Sequence, residues 1–123
     1  MSTRSNIIIK EKDVKFYLYR HCDGYPETTG VHLKKVLDEG GYSEFDSAFL
    51  STKLIQYNEP LTYSDGVYYP YELTYCIHGD IEYLYVIDLT KDGDRLKCYY
   101  SPGYDNKEED IIKPENEREI PEK

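Results

Sequence analysis

The sequence predicts a single α+β domain with one antiparallel sheet of about five strands and two helices on one face, in the order ββααβββ. Runs rich in β-branched and aromatic residues lie towards both ends of the chain. Between them lie two stretches in which apolar residues recur with helical spacing. A chain of 123 residues is long enough for one modest core and too short for two.

The first two strands are predicted to form a hairpin. Residues 7–9 are three consecutive isoleucines, and residues 14–20 form a second β-rich run. The charged residues 10–13 between them predict the turn.

The first helix is predicted to follow Gly30 and to stop at the Gly40-Gly41 pair. Leu33, Val36 and Leu37 have helical spacing, and a glycine pair is typical of a helix end.

The second helix is predicted to begin near Ser43 and Asp46, which resemble a capping arrangement, and to end at residues 58–60. Its residues with helical spacing share one face: Phe45, Ala48, Phe49 and Thr52.

The second half of the domain is predicted to be a loop followed by three strands. Residues 61–70 are rich in Tyr, Gly, Pro and Asp and predict the loop. Residues 71–77 and 81–88 predict a hairpin with a three-residue turn, and residues 96–100 predict the last strand. That register collects one apolar and aromatic face: Tyr71, Leu73, Tyr75, Ile77, Ile81, Tyr83, Tyr85 and Ile87.

The domain is predicted to span residues 1–104. Residues 105–123 are acidic and interrupted by prolines, so we expect a C-terminal tail that is mobile or lies extended along the domain.

The composition favours a protein partner over a nucleic acid. The net charge is −9, whereas binding to a phosphate backbone requires a surface rich in Lys and Arg, so direct nucleic-acid binding is disfavoured. The chain holds 15 Tyr, 3 Phe and no Trp, and rings with a hydroxyl suit half-buried surfaces. Exposed aromatic sheet edges would also favour a twofold homodimer.

The sequence favours a cytosolic protein that does not bind membranes. No stretch approaches the roughly 18 apolar residues of a membrane span, and the N-terminal residues lack a secretory hydrophobic region. The spacing of Cys22, Cys76 and Cys98 fits neither a disulfide framework nor a zinc motif and predicts reduced thiols.

Two polar segments are candidates for one site, because each places imidazole and carboxylate groups at a bend beside a Tyr-rich strand. The first contains His21 and Asp23, and the second contains His78, Asp80 and Glu82. If the two bends meet, such a set would hold a divalent cation and activate water, as in a metal-dependent hydrolase or nuclease. The alternative is that the carboxylates bond to nearby backbone N–H groups in turns.

Arg4 and Arg20 also have two interpretations, as structural ion pairs or as ligands for a bound phosphate. Arg20 is expected to pair with Asp80 or Glu82 and so connect the two hairpins. If Arg4 and Arg20 converge instead, with Tyr25 as a stacking platform, they would form a pocket for a phosphorylated ligand.

Three tyrosines of the predicted loop are candidates for contact with a partner. Tyr63, Tyr68 and Tyr69 lie beside Asp65, and acidic charge next to exposed aromatic rings is what a competitor for a basic channel would carry.

Three segments together resemble a family of small uncharacterised proteins from phages, prophages and bacteria. They are residues 2–5, residues 19–26 with the following Gly30, and residues 78–85. In that family the N-terminus commonly reads Gly-Thr-Arg-Ser and the second block reads Tyr-Arg-x-x-Asp-Gly-Tyr-Pro. The resemblance covers about the first hundred residues. It implies a phage accessory protein of the host cytosol, active in counter-defence, for example against CRISPR systems, or in host takeover.

Three functions are therefore compatible with the sequence, and we favour the first. It is a non-enzymatic protein without a cofactor that binds and blocks a host factor, such as a nucleic-acid-handling enzyme. The second is the metal-dependent hydrolase with His21, Asp23, His78 and Asp80. The third is a pocket that sequesters a small phosphorylated or cyclic-nucleotide signal.

Overall fold

The computed structural model describes residues 3–57 and 59–122, and for residues 61 and 63 it describes the backbone only. The strands are β1 (Ser5–Lys10), β2 (Lys15–Arg20), β3 (Leu61–Tyr63), β4 (Gly66–Tyr68), β5 (Glu72–Thr74), β6 (Tyr83–Asp88), β7 (Leu96–Tyr100) and β8 (Glu117–Arg118). The helices are α1 (Val31–Gly40), α2 (Ser47–Gln56) and α3 (Glu108–Ile111).

The protein has the predicted α+β fold, but its main sheet is mixed. Six strands lie in the order β5-β2-β1-β6-β7-β8, and β1 pairs with β6 in parallel. The prediction of a wholly antiparallel sheet is therefore wrong. The reason lies in β1, whose Ile7, Ile8 and Ile9 are fully buried. A strand buried on both faces occupies the middle of a sheet, and the helical crossover between β2 and β6 supplies its parallel neighbour.

The first predicted hairpin is confirmed, and the second is wrong. β1 and β2 are antiparallel with Ile8 opposite Tyr17. β5 pairs with β2, whereas β6 lies between β1 and β7. Residues 75–82, which connect β5 to β6, cross the end of the sheet. Two hydrogen bonds hold them there: the His78 N–H donates to Asn6 Oδ1 at 2.7 Å, and the Glu82 N–H donates to the Arg4 carbonyl at 2.8 Å.

Both predicted helices are present and lie on one face of the sheet. α1 ends at Gly41, whose φ of 60° is left-handed. Before α2, the Ser43 N–H donates to the Asp46 carboxylate at 2.7 Å. The helices bury Leu33, Leu50 and similar residues against the strands. Phe45 and Phe49 of the predicted helix face are exposed.

The predicted loop at residues 61–70 contains a small hairpin instead. β3 and β4 form a separate two-stranded sheet in which Tyr63 lies opposite Gly66. The Asp and Gly residues that predicted a loop supply the turn of this hairpin.

The C-terminal segment packs along the domain. Ile111 of α3 is fully buried in a cluster with Ile8, Tyr19 and Leu84 on the sheet face opposite α1 and α2. β8 extends the sheet beyond β7, and Ile120 packs against the core on the helical side. The expected boundary after residue 104 therefore does not mark the end of packed structure.

None of the helices in the described ranges is long and apolar enough to cross a membrane.

Candidate functional site

The segments singled out in the sequence converge at one end of the sheet. Ser5 lies opposite Arg20 on one side and Tyr83 on the other. The Gly24 N–H donates to the Thr3 carbonyl at 2.9 Å, and the buried Tyr85 hydroxyl donates to the Gly24 carbonyl at 2.7 Å. Residues 3–5, the bend at residues 23–26 and strand β6 therefore contact one another at this end of the sheet.

Asp23 belongs to the turn at this sheet end. Its φ is 58°, a left-handed conformation that aspartate tolerates better than most residues. Its carbonyl accepts hydrogen bonds from the hydroxyls of Thr28 and Thr29. The backbone of Asp23 therefore anchors the start of the helical region.

The two histidines both contact Tyr19. The Tyr19 hydroxyl lies 3.0 Å from His21 Nδ1, and the Tyr19 ring stacks on His78 with 3.8 Å between centroids. Tyr68 of β4 stacks on His21 at 4.1 Å. We call Tyr68, His21, Tyr19 and His78 the His–Tyr row.

Tyr19 remains protonated at neutral pH. Burial raises the pKa of Tyr19 to about 12, and Asp80 contributes to the rise while Arg4 opposes it. Its hydroxyl is therefore available as a donor to His21 Nδ1.

The predicted pairing of Arg20 with Asp80 or Glu82 is wrong. Asp80 pairs with Arg4 at 3.2 Å instead. Successive side chains of a strand point to opposite faces, so Arg20 joins Leu18 on the helical face, whereas Tyr19 lies on the other. Glu82 is exposed and contributes its backbone N–H to this end of the sheet.

The candidate metal ligands do not assemble into a metal site. Within the described ranges, no group of three or more His, Cys, Asp or Glu side chains is arranged to hold a metal ion. His21 and His78 approach each other through Tyr19, while Asp80 is paired with Arg4.

The predicted pocket of Arg4, Arg20 and Tyr25 is not formed either. Arg20 is buried on the helical face, where its Nε donates to the Cys22 carbonyl at 2.9 Å and its Cζ lies 5.3 Å from the Tyr71 ring centroid. Arg4 faces Asp80 on the other side of the sheet. Tyr25 is exposed and leans against Tyr83.

A groove runs beside the outermost strand, β5. Its lining consists of residues 72–80 with Tyr19, Tyr104 and Asp105, and its volume is about 760 Å³. We call it the β5 groove. Three of its large side chains are strongly exposed: Leu73 by 69%, Tyr75 by 90% and Tyr104 by 81%.

The lining of the β5 groove is acidic as well as aromatic. It contains the carboxylates of Glu72, Asp80 and Asp105, of which Asp80 is paired with Arg4 outside the lining, and no lysine or arginine is among its described lining residues. The Asp105 N–H donates to the Gly79 carbonyl at 2.9 Å, which fixes the wall that carries Tyr104. Exposed rings and carboxylates therefore lie side by side in this groove.

No family model matches the chain, and neither a curated protein nor a solved structure matches it.

The loop tyrosines have different surroundings. Tyr68 belongs to the His–Tyr row, Tyr69 is exposed, and the side chain of Tyr63 lies outside the described part of the structure. Through Tyr19 and His78, the His–Tyr row continues into the β5 groove.

Sequence reasoning missed the principal residues of the groove. The sequence places Leu73 and Tyr75 on the apolar and aromatic face of a hairpin that the structure does not form, and it does not indicate that these two side chains are exposed. Tyr104 follows Pro102 and Gly103, a turn signal that indicated exposure. No local pattern indicated that this turn lies beside residues 78–80.

Proposed function

We propose that the protein is a non-enzymatic binding protein that docks onto a partner with a basic surface and blocks it. The observation that carries this proposal is the β5 groove, in which exposed Leu73, Tyr75 and Tyr104 lie among three carboxylates. Large aromatic and aliphatic side chains at the centre of a contact supply most of the binding energy of protein interfaces.

The position of the groove supports binding of a protein. β5 is three residues long and lies at the edge of the main sheet. An edge strand presents unpaired backbone groups, which a partner segment completes by lying alongside it. Exposed apolar side chains next to such an edge provide the pockets and anchors that make the contact specific.

The charge supports a basic partner. The chain carries a net charge of −9, and carboxylates line the groove itself. An acidic surface accelerates association with a basic one and competes with nucleic acid for the same site. A nucleic-acid-handling enzyme with a basic groove is a partner of this kind.

The resemblance to phage and prophage proteins supports a host protein as the partner. A phage accessory protein that occupies the basic channel of a host defence enzyme would act in counter-defence, and one that blocks a host enzyme would act in takeover. This part of the proposal rests on sequence motifs and not on geometry.

The proposal is tested with variants of exposed groove residues. The wild-type protein captures a partner from a bacterial lysate, and the purified partner is then titrated against wild type, Tyr75→Ala and Tyr104→Ala. We expect each variant to bind at least about tenfold more weakly, as for a central interface residue. Phe45→Ala, which removes an exposed ring far from the groove in the fold, is the matched control and should bind like wild type. A partner that binds all four proteins equally would refute docking at the groove.

A second copy of the chain is the competing occupant of the β5 edge. Sedimentation of the purified protein distinguishes this case, because a twofold dimer through β5 would dissociate on Leu73→Asp. A dimer that persists in Leu73→Asp uses another surface.

A hydrolase is the second candidate, because both histidines contact Tyr19. A pair of imidazoles in one site can act as a general acid and a general base. This alternative predicts turnover of a nucleic-acid or phosphoester substrate that is abolished by His78→Ala. Partner binding without turnover, retained in His78→Ala, would exclude it.

A further inference from the structure

A second groove lies on the opposite side of the sheet, between α1 and α2. It has a volume of about 690 Å³, and its lining includes His32, Tyr42, Phe49, Lys53, Leu54 and Tyr57. We call it the helix groove. Phe49 of α2 is 60% exposed, and Tyr57, which follows α2, is 46% exposed. Both rings are therefore open to solvent, next to the apolar side chains of Val36 and Leu54 in the groove lining.

The aromatic rings of the helix groove form two pairs. Tyr42 and Phe49 have centroids 6.0 Å apart, and His32 and Tyr57 have centroids 4.2 Å apart. Partly exposed rings set beside one another in a concave site provide stacking surfaces for a planar ligand.

Positive charge acts on the part of the helix groove around His32. Lys53 lines the groove, and Arg20 and Lys35 both act electrostatically on His32. Glu39 is the one carboxylate in the described lining. None of the three cations has a carboxylate within ion-pair distance among the described residues.

His32 connects the groove to the buried Arg20. Its Nδ1 lies 2.6 Å from the Tyr71 hydroxyl, and the Arg20 guanidinium lies beside the Tyr71 ring. Burial, followed by the charges of Arg20 and Lys35, lowers the pKa of His32 to about 4, so the ring is neutral at pH 7. Burial also raises the pKa of Tyr71, with Arg20 opposing the rise, so its hydroxyl keeps a proton to donate. When Tyr71 donates to Nδ1, the proton of His32 lies on Nε2 and is available to a ligand.

We propose that the helix groove binds a small aromatic molecule that carries a phosphate group. The ring packs against Phe49 and Tyr57, and the phosphate lies towards His32 and Lys53. Lys53 in the lining and the charges of Arg20 and Lys35 that act on His32 favour an anionic group such as a phosphate at this end of the groove. The site is separate from the β5 groove, so this proposal does not depend on the proposed function.

The first test uses three probes of known structure on the full chain. 1-Naphthyl phosphate has ring and charge, 1-naphthol has the ring alone, and inorganic phosphate has the charge alone. Backbone amide shifts are followed by NMR during each titration. We expect 1-naphthyl phosphate to shift amides in α1 and α2 and to bind at least about tenfold more tightly than either other probe.

Each other outcome of that titration overturns the proposal. Equal affinity for 1-naphthol would show that the charge is not recognised, and equal affinity for inorganic phosphate would show that the ring is not. Absence of saturable binding, or shifts confined to the β5 groove, would show that the helix groove is not the site.

Exposed variants then locate the ligand without threatening the fold. Phe49→Ala and Lys53→Gln should each weaken binding of 1-naphthyl phosphate by about threefold to tenfold. Phe45→Ala removes an exposed ring that does not line the helix groove and should leave binding unchanged. An equal loss in Phe45→Ala, or no loss in Phe49→Ala, would overturn the assignment.

Discussion

At the scale of single residues, Gly24 joins the bend at residues 23–26 to the first strand and to β6. Its N–H and carbonyl tie the bend to Thr3 and to Tyr85. A Cβ at this position would lie 2.8 Å from the Thr3 carbonyl oxygen and 2.8 Å from Ser5 Cβ. Because one of those atoms belongs to the backbone, the crowding is not relieved by a change of rotamer.

Gly24→Ala should therefore destabilise the fold by about 1–3 kcal/mol, the usual cost of overpacking. Gly93→Ala is the matched control, because a Cβ there would meet nothing within 4 Å. Urea unfolding of both variants measures the effect, and the control should stay within about 0.5 kcal/mol of wild type. Equal stability of the two variants would contradict the close approach of Gly24 to the first strand.

His32 should make the stability depend on pH. Its pKa is lowered from 6.5 to about 4 in the folded state, mainly by burial. Between these values the unfolded state binds the proton and the folded state does not, so stability is complete above about pH 6.5 and falls as the pH drops towards 4. After allowance for solvent screening of this half-buried ring, we expect a loss of about 1–2 kcal/mol.

The variant His32→Gln isolates this contribution. Carboxylates titrate in both proteins, so the informative quantity is the difference in free energy of unfolding between wild type and variant from pH 6.5 to pH 4.5. As the pH falls, the free energy of unfolding of the wild type should decrease more than that of His32→Gln. Parallel curves would mean that His32 is solvated in the folded protein.

At the scale of elements, local patterns predicted the strands and helices better than they predicted their neighbours. The β1–β2 hairpin, α1 with its glycine stop, and β7 were each indicated by a short stretch of sequence. The partners of β5 and β6 were not, because pairing between distant strands depends on which strand is buried on both faces. The three buried isoleucines of β1 place this strand in the middle of the sheet, between β2 and β6. The run of three isoleucines in the sequence predicts a strand but does not identify its partners.

The candidate site was predicted in part for the same reason. Residues of the two bends were identified from their composition, and their convergence followed from the parallel pairing of Ser5 with Tyr83. The exposed residues of β5 were not identified, because their exposure results from the edge position of that strand.

The C-terminal segment is expected to stabilise the domain through α3. Tyr17 donates to Glu108 at 2.5 Å and Lys15 donates to it at 2.9 Å, while Ile111 is fully buried. Burial alone would raise the pKa of Glu108, but these hydrogen bonds outweigh it and the pKa lies below its usual value. The carboxylate is therefore charged and bound at neutral pH.

Ile111→Ala should lower the free energy of unfolding by about 2–4 kcal/mol, because it leaves a cavity beneath α3. The neighbouring Ile112 is 38% exposed, so Ile112→Ala should cost much less. Denaturant unfolding of the two variants gives the comparison. Equal effects would show that α3 does not dock on the sheet in solution.

At the scale of the whole molecule, both faces of the sheet are covered, and the two grooves proposed as binding surfaces lie at the β5 edge and between α1 and α2. An acidic, aromatic groove follows the β5 edge, and a second aromatic groove, lined by Lys53 and Glu39, lies between α1 and α2. The carboxylates of the β5 groove are the reason for proposing a basic partner there, and the charges around His32 are the reason for proposing an anionic ligand in the helix groove.

Charge should also control the rate and strength of partner binding. For a basic partner held at the β5 groove, affinity should fall as salt is raised from about 50 mM to about 200 mM, because screening weakens attraction between exposed charges. Titrations of the purified partner at the two concentrations measure this. An affinity independent of salt would indicate an apolar contact without charge complementarity.

The measurement that tests the central claim most directly is hydrogen exchange of the protein alone and bound to its purified partner. The proposal predicts that binding slows exchange of amides in residues 72–80 and 103–105, which form or adjoin the β5 groove. Exchange in α1 and α2 should be unchanged. Protection confined to the helices or to the β7–β8 end, with none along β5, would contradict the account.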